Sequence, residues 1–262
     1  MKLDVNGTET YCYTNNRTID PGRESVVFIH GSGLDHTVWT LAARHFARHG
    51  RNVLAVDMPG HGRSSGEPLA SVEAMADWIV KLCDAIGVHR AALCGHSLGS
   101  LVALDCASRH PERVRSLAMV GTTSPMPVSN AILDAAGADD HAAFDMLTQW
   151  GYSKRHQYGG NQNPGIWMLG NTLRLFERSR PGVLHSDMSA CNNYTAGLER
   201  ASEVRCPVLL VLGEEDRLTP VRSTRGLQDA LSSPEVVTLP GAGHTLMAEA
   251  PNTLLDALHK VL

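Results

Sequence analysis

The sequence predicts an α/β fold: a doubly wound, mostly parallel sheet with a mainly helical cap inserted after the sixth strand. Short apolar runs alternate with amphipathic helical patterns over the first 120 residues and again after residue 206. Strands that alternate with helices form parallel sheets covered on both faces. Between these parts, residues 124–204 (the inserted segment) carry no such apolar run and read as irregular and partly helical.

Each element before the insertion has its own signal. The helix Val72–Ile86 carries apolar residues at three- and four-residue steps and ends at a glycine, and the helix Leu98–Arg109 ends before a proline. The strands are short apolar runs bounded by Gly, Pro or Asp. In chain order we expect the strand Ser25–Ile29, helix 39–46, strand 53–56, helix Val72–Ile86, strand 91–94, helix Leu98–Arg109 and strand Val114–Val120.

The alternation of strands and helices resumes with strands at 207–212 and 236–239 and a final helix near 252–262. We therefore expect residues 1–123 and 205–262 to form the core and residues 124–204 to form a cap, or lid. The inserted segment holds more than half of the chain's aromatic residues, which either line a pocket or form a small core of their own. These aromatic residues are Phe144, Trp150, Tyr152, Tyr158, Trp167, Phe176 and Tyr194.

Composition excludes several function classes. The chain has 262 residues, of which 43% are hydrophobic, and a net charge of −4. This length and hydrophobic content are enough to form a core without disulfides or metals. No basic tract or long apolar run occurs, so we expect neither a nucleic-acid partner nor a membrane span. Residues 1–20 lack a targeting pattern, and the six cysteines form no C-x-x-C pair, so we expect reduced thiols in a cytoplasmic protein.

The thirteen histidines show no metal-binding spacing, and we predict no metal and no organic cofactor. The expected partner is a small molecule, and a homo-oligomer is compatible with the sequence.

Gly95-His96-Ser97-Leu98-Gly99 is the sharpest chemical signal. A G-x-S-x-G pattern between a strand and a helix places its serine on a tight, strained turn above the carboxyl edge of a sheet. The flanking glycines keep side chains from colliding with the neighbouring strand and helix. We therefore predict Ser97 as the nucleophile; the alternative is a serine that caps the helix.

Serine needs a positioned base. His244 follows the last predicted strand in a loop of small residues, and we predict it as that base. His30, His61 and His96 lie near motif loops and are the rivals.

An orienting carboxylate completes such a site. Asp216 follows the strand 207–212 and is our choice, with Glu214 and Glu215 of the same loop as alternatives. Asp57 also follows a strand, but it precedes the nucleophile in the chain. The order Ser97, Asp216, His244 is the serine–acid–histidine order of enzymes with this motif.

Acyl transfer also needs N–H donors for the developing oxyanion. Leu98, at the start of a helix directly after the nucleophile, supplies one. The loop at 30–33 after the first buried strand supplies the second, from Ser32 or, as the alternative, Gly33.

Along nearly its whole length the sequence resembles the α/β-hydrolase superfamily. Six motifs in order carry the resemblance: HGSG (30–33) with Trp39 beyond it, VDMPGHGRSS (56–65), GHSLG (95–99), PERVRSL (111–117), PVLLVLGEEDRLTP (207–220) and GAGHTLMAEAP (241–251). The resemblance implies that Ser97, Asp216 and His244 form a catalytic triad below a cap. It is greatest to compact cytoplasmic esterases such as pimeloyl-ester carboxylesterases, and to carbon–carbon bond hydrolases.

Two departures from the motifs of other members of the superfamily narrow the range of reactions that we expect. Ser97 stands where haloalkane dehalogenases and epoxide hydrolases of this fold carry aspartate, and HGSG lacks the proline of many cofactor-free haloperoxidases. We expect a carboxylic ester hydrolase that acts on a small to medium, partly apolar ester through an acyl-enzyme. The alternatives are a carbon–carbon hydrolase of a vinylogous diketone and a slow-turnover ligand receptor of the same fold.

Overall fold

The computed structural model describes residues 1–160 and 165–262; residues 161–164 of the inserted segment lie outside the described residues. Within that part of the chain, eight strands form one sheet in the order β1-β2-β4-β3-β5-β6-β7-β8. β1 and β2 pair antiparallel, as do β2 and β4, and all later neighbours pair parallel. The strands are Lys2–Val5, Thr8–Tyr13, Ser25–Ile29, Asn52–Val56, Ala91–His96, Val114–Val120, Val208–Gly213 and Glu235–Leu239.

Two apolar layers cover the sheet, one on each face, because successive side chains of a strand point to opposite sides. Val27 and Ile29 of β3 pack with the layer formed by α2 and α3, whereas Val26 and Phe28 pack with α1 and α12. The predicted doubly wound α/β class is therefore confirmed. The core helices are α1 (Thr40–Arg48), α2 (Val72–Ile86), α3 (Leu98–Arg109), α10 (Arg225–Ala230), α11 (Leu246–Glu249) and α12 (Pro251–Leu258).

Several predicted elements coincide with the observed ones, and the differences have local causes. β5 runs on to His96 because its parallel pairing with β6 continues to Val120. Residues 36–39 form a 3₁₀ turn before α1, so Trp39 precedes the helix. The final helix ends at Leu258 rather than at the last residue.

The N-terminal hairpin was not predicted, although the sequence carries its signal. Asn6 and Gly7 join β1 to β2 with φ angles of 53° and 80°. Two successive positive φ angles define the turn that joins two-residue hairpins with the correct twist, and Asn-Gly favours it.

The inserted segment follows β6, the sixth strand, and precedes β7. Its described helices pack on each other and on the core: α4 contacts α5 and α8, and α9 contacts α3 and α10. Phe176, Tyr152 and Tyr194 are buried, whereas Trp167 and Tyr158 are exposed, so its aromatic residues have no single role. These helices are α4 (Asn130–Gly137), α5 (His141–Gly151), α6 (Lys154–Gln157), α7 (Met168–Glu177), α8 (Val183–Asn193) and α9 (Gly197–Glu203).

Among the described helices, none combines the length and apolar character needed to cross a bilayer. The six cysteines are free thiols, and five of them are buried.

The strand-to-helix turn at residues 95–99 allows no side chain at its glycines. A Cβ at Gly95 would lie 2.0 Å from the carbonyl oxygen of Gly99. We expect Gly95→Ala to lower the free energy of unfolding by about 3 kcal/mol or more, because backbone must move to relieve the clash. Urea denaturation followed by circular dichroism measures this.

Gly226→Ala is the matched control. Gly226 lies in α10, and its nearest neighbour is the Leu198 side chain at 3.8 Å, so alanine fits there and favours the helix. Equal unfolding midpoints for the wild type and Gly95→Ala would contradict the steric account of the turn.

Candidate active site

The candidate site lies at the carboxyl edge of the parallel strands. The loops that leave β3, β5, β7 and β8 carry residues 30–33, Ser97, Asp216 and His244 respectively. Parallel strands end at one edge of a sheet, which is where open α/β sheets bind their ligands. The topology thus brings residues far apart in the chain to a common place.

Ser97 occupies a strained turn between β5 and α3. Its φ of 52° and ψ of −120° lie in a region that side chains rarely adopt, at a cost of about 1–3 kcal/mol. Two hydrogen bonds hold the turn: the Ser97 N–H donates to the Val120 carbonyl (3.0 Å), and the Ser100 N–H donates to the Ser97 carbonyl (2.8 Å). A Cβ at Gly99 would lie 2.4 Å from the Ile29 carbonyl oxygen, so only glycine lets α3 approach β3 this closely.

Asp216 and His244 are buried and hydrogen-bonded to each other, with 2.8 Å between Oδ2 of Asp216 and Nδ1 of His244. The backbone N–H groups of Leu218 and Thr219 donate to Oδ1 of the same carboxylate, each at 2.8 Å. Burial raises the pKa of Asp216, but His244 and the donors from Thr219 outweigh it and lower the pKa to about 2. The carboxylate is therefore ionised at neutral pH, and it fixes Nδ1 of His244 as a donor.

Ser97 and His244 both line a cavity of about 190 Å³. No hydrogen bond joins the Ser97 hydroxyl to His244 within the described residues, a state common in unliganded enzymes, where such bonds tighten when substrate binds. Because Nδ1 of His244 is hydrogen-bonded to Asp216, Nε2 is the ring nitrogen that remains available for proton transfer. The apolar side chains around this cavity include Met126, Pro127, Val128, Ile132, Leu147, Trp150, Met188 and Leu218.

A larger cavity of about 500 Å³ is bordered by Tyr152 and Met168. Between the two lies a small cavity of about 50 Å³ that Ser97 and His244 also line. The small cavity shares Val38, Thr172 and Thr245 with the large one.

The two candidate oxyanion donors flank the serine. The N–H groups of Ser32 and Leu98 have no acceptor among the described residues, whereas the Gly33 N–H donates to Oδ2 of Asp187 at 2.8 Å. Gly33, the alternative donor, is therefore already engaged. Leu98 begins α3, so its N–H lies at the positive end of the helix dipole.

The rival histidines have structural partners. Nε2 of His96 donates to the His244 carbonyl (3.0 Å), and burial lowers the pKa of His96 to about 3. Nε2 of His30 accepts from the Met58 N–H, and burial lowers the pKa of His30 to about 4.

The rival carboxylates are also placed elsewhere. Glu214 accepts from the Gly241 N–H, and Glu215 is exposed. Asp57 accepts from the backbone and ring of His36 and from the Arg63 N–H. Asp57 also forms, with Asp35 and His36, the group whose atoms lie close enough to ligate a metal, but the oxygens of Asp35 are used by Thr37 and Arg178.

Glu249, which the sequence did not indicate as a site residue, holds the loop of His244. Its buried carboxylate accepts from the N–H groups of Gly243 (3.0 Å) and Thr245 (3.2 Å), on either side of His244. It also accepts from the N–H of Ser153 in the inserted segment (3.0 Å). Glu249 stands in the GAGHTLMAEAP motif, but only the folded loop shows why an acid is needed there.

Comparison with known proteins places this geometry in a family. A family model described as alpha/beta hydrolase fold matches residues 24–157, and one described as TAP-like protein matches residues 184–259. A pimeloyl-[acyl-carrier protein] methyl ester esterase of Chromobacterium violaceum is 30% identical over 232 residues, covering 84% of this chain and 86% of that protein. A putative carbamate hydrolase of a Caulobacter species is 29% identical over 249 residues, covering 90% of this chain and 89% of its own.

Solved structures with a similar fold align with nearly the whole chain. The structure of a thermophilic esterase aligns with a TM-score of 0.82 at 27% identity, covering 99% of this chain and 95% of that one. The enol-lactonase of Burkholderia xenovorans aligns with a TM-score of 0.87 at 20% identity, covering 100% and 99%. With these relatives and a family model across half of its length, the chain belongs to the α/β-hydrolase fold family, and its relatives are esterases and other hydrolases.

Proposed function

We propose that this protein is a serine hydrolase that cleaves a small to medium, partly apolar carboxylic ester through an acyl-enzyme intermediate. The observation that carries the proposal is the 2.8 Å bond between Asp216 and His244, beside a cavity that His244 shares with Ser97. A histidine whose Nδ1 is held by an ionised carboxylate has its Nε2 available as a general base.

In the acylation step, Nε2 of His244 takes the proton of the Ser97 hydroxyl as Oγ attacks the ester carbonyl carbon. The carbonyl oxygen becomes an oxyanion, which the N–H groups of Ser32 and Leu98 stabilise. His244 then gives its proton to the leaving alkoxide, the carbon–oxygen bond breaks, and an alcohol departs. Asp216 stays ionised and stabilises the imidazolium throughout.

In the deacylation step, water gives a proton to Nε2 of His244 while its oxygen attacks the acyl carbon. The bond between the acyl carbon and Oγ of Ser97 breaks, and Oγ recovers the proton from His244. A carboxylic acid leaves, and the serine is regenerated. No metal or organic cofactor takes part in this proposal.

The cavity supports a partly apolar substrate. Methionine, leucine and isoleucine side chains line part of the 190 Å³ cavity beside Ser97, together with polar side chains that include Arg217. Flexible apolar side chains accept alkyl or aromatic groups, and the polar ones make the pocket only partly apolar. The relatives named as a methyl ester esterase and a thermophilic esterase support an ester as the substrate.

Removing the nucleophile should abolish turnover. We expect Ser97→Ala to lower kcat by about 10⁴- to 10⁶-fold on a p-nitrophenyl ester. The variant still has the N–H donors that bind the substrate, but without the hydroxyl it cannot form the acyl-enzyme. Ser202→Ala, which changes an exposed serine, is the control and should behave as the wild type. Near-normal turnover of folded Ser97→Ala would refute the assignment.

Asp216→Asn tests the choice of acid. The amide fixes the wrong histidine tautomer, so we expect kcat to fall about 10⁴-fold, whereas Glu215→Gln, in the same loop, should change it less than about twofold. A large loss in Glu215→Gln with little in Asp216→Asn would reverse the assignment.

Stability measurements give the same substitution a second readout. The pKa of Asp216 in the folded protein is about 2, below the ordinary value of about 3.9. Its ionised form therefore stabilises the fold above about pH 4, and this contribution is lost as the pH falls toward 2. The difference in free energy of unfolding between the wild type and Asp216→Asn should shrink over that range.

Substrate class is tested with p-nitrophenyl esters of rising acyl length and with a vinylogous diketone. We expect kcat/KM to be greatest for short to medium acyl chains and to fall once the chain outgrows the cavity. Faster cleavage of the diketone than of any ester would favour carbon–carbon hydrolysis. A marked preference for charged polar esters would contradict the apolar pocket.

A further inference from the structure

One face of α8 in the inserted segment rests on the loop that carries the candidate oxyanion donor. A Cβ at Gly33 would lie 3.0 Å from Cδ1 of Leu184. Cys191 Sγ lies 3.7 Å from the Ser32 hydroxyl, and Asp187 binds the Gly33 N–H between them. Residues three, four and seven positions apart share a helix face, so α8 presents a continuous surface to this loop.

Asp187 places a carboxylate in the contact between α8 and the 30–33 loop. Its side chain is fully buried, and its Oδ2 accepts two hydrogen bonds, one from the Gly33 N–H (2.8 Å) and one from Nε2 of His61 (2.9 Å). Its Oδ1 has no partner among the described residues. Burying a carboxylate with one oxygen unpaired is costly, and such groups call for an explanation beyond packing.

The surroundings of His61 favour its protonated, positively charged form. Its Nδ1 contacts the Pro59 carbonyl oxygen (3.0 Å) and its Nε2 contacts the carboxylate, and since both partners are acceptors both ring nitrogens must donate. Burial lowers the pKa of His61, but the charge and hydrogen bond of Asp187, together with the Pro59 carbonyl and the Asp57 charge, outweigh burial and raise the pKa above its ordinary value. The other groups facing this ring are His30, at 4.7 Å between ring centroids, and the Asp57 carboxylate.

We propose that Asp187 is a positioning residue for the oxyanion donor. Its carboxylate, itself held by protonated His61, takes the Gly33 N–H and so fixes the 30–33 loop with the Ser32 N–H directed to the substrate carbonyl. The inserted segment then completes the catalytic edge as well as covering it. This inference rests on the proposed function, because an oxyanion donor matters only to acyl transfer.

Kinetics of two variants at Asp187 test it. Asp187→Ala removes the acceptor for Gly33, and we expect kcat to fall about 10- to 100-fold while KM changes less than about threefold, as when an outer residue that orients a catalytic group is lost. Asp187→Asn keeps an oxygen for Gly33, so its kcat should stay within about threefold of the wild type.

Val183→Ala is the matched control, because Val183 is a buried residue of the same helix with no hydrogen-bonding side chain. It should lower the unfolding midpoint and leave kcat unchanged. Wild-type kcat in Asp187→Ala would overturn the proposal. So would equal losses of kcat in Asp187→Ala and Val183→Ala, or in Asp187→Ala and Asp187→Asn.

Nitrogen NMR of the histidine rings gives a readout that needs no turnover, with His61 assigned through His61→Gln. We expect both nitrogens of His61 to be protonated at pH 7 in the wild type and only one in Asp187→Asn. A neutral His61 in the wild type would overturn the ion pair. Absence of ester turnover in the wild type with a doubly protonated His61 would instead refute the proposed function and leave the ion pair standing.

Discussion

The tight turn between β5 and α3 is the constraint on which the site depends. Backbone atoms of Gly95, Gly99 and Ile29 approach each other so closely that no side chain fits between them. Ser97 lies within this turn and has a positive φ of 52°. β5 pairs in parallel with β3 and β6, and these buried neighbours hold the strained turn in place. Their register fixes where the neighbouring loops begin.

The other site loops are held by polar contacts that come largely from the inserted segment. The Gly151 carbonyl accepts the N–H groups of His244 (2.9 Å) and Thr245 (3.0 Å), and Glu249 ties the same loop to Ser153. Asp187 reaches the 30–33 loop from the opposite side. Because these acceptors belong to or touch helices outside the sheet, the position of the inserted segment and the geometry of the candidate catalytic groups are linked.

The sequence predicted those parts of the molecule that have a local signature. The strands of the parallel sheet are nearly continuous apolar runs, and helices such as Val72–Ile86 have both period and caps, so the fold class and many boundaries followed. Ser97, Asp216 and His244 were proposed because each follows a strand, and the structure brings Ser97 and His244 to one cavity with Asp216 behind His244.

The remainder depends on contacts between segments far apart in the chain. Nothing near Asp187 in the sequence indicates a buried acid that binds the N–H of another loop, since Gly33 is 154 residues away. Glu249 lies close to Gly243 and Thr245, but its bond to Ser153 spans 96 residues and has no local signal. The interpretation that Ser32 rather than Gly33 is the available donor also depends on Asp187, which accepts the Gly33 N–H.

A crystal structure of the protein after reaction with an alkyl phosphonate ester would test the proposed site most directly. We expect a covalent bond from phosphorus to Oγ of Ser97, with the phosphonyl oxygen within hydrogen-bonding distance of the Ser32 and Leu98 N–H groups and Nε2 of His244 beside Oγ. Phosphorus bound to another residue, or an unmodified Ser97 after prolonged exposure, would contradict it.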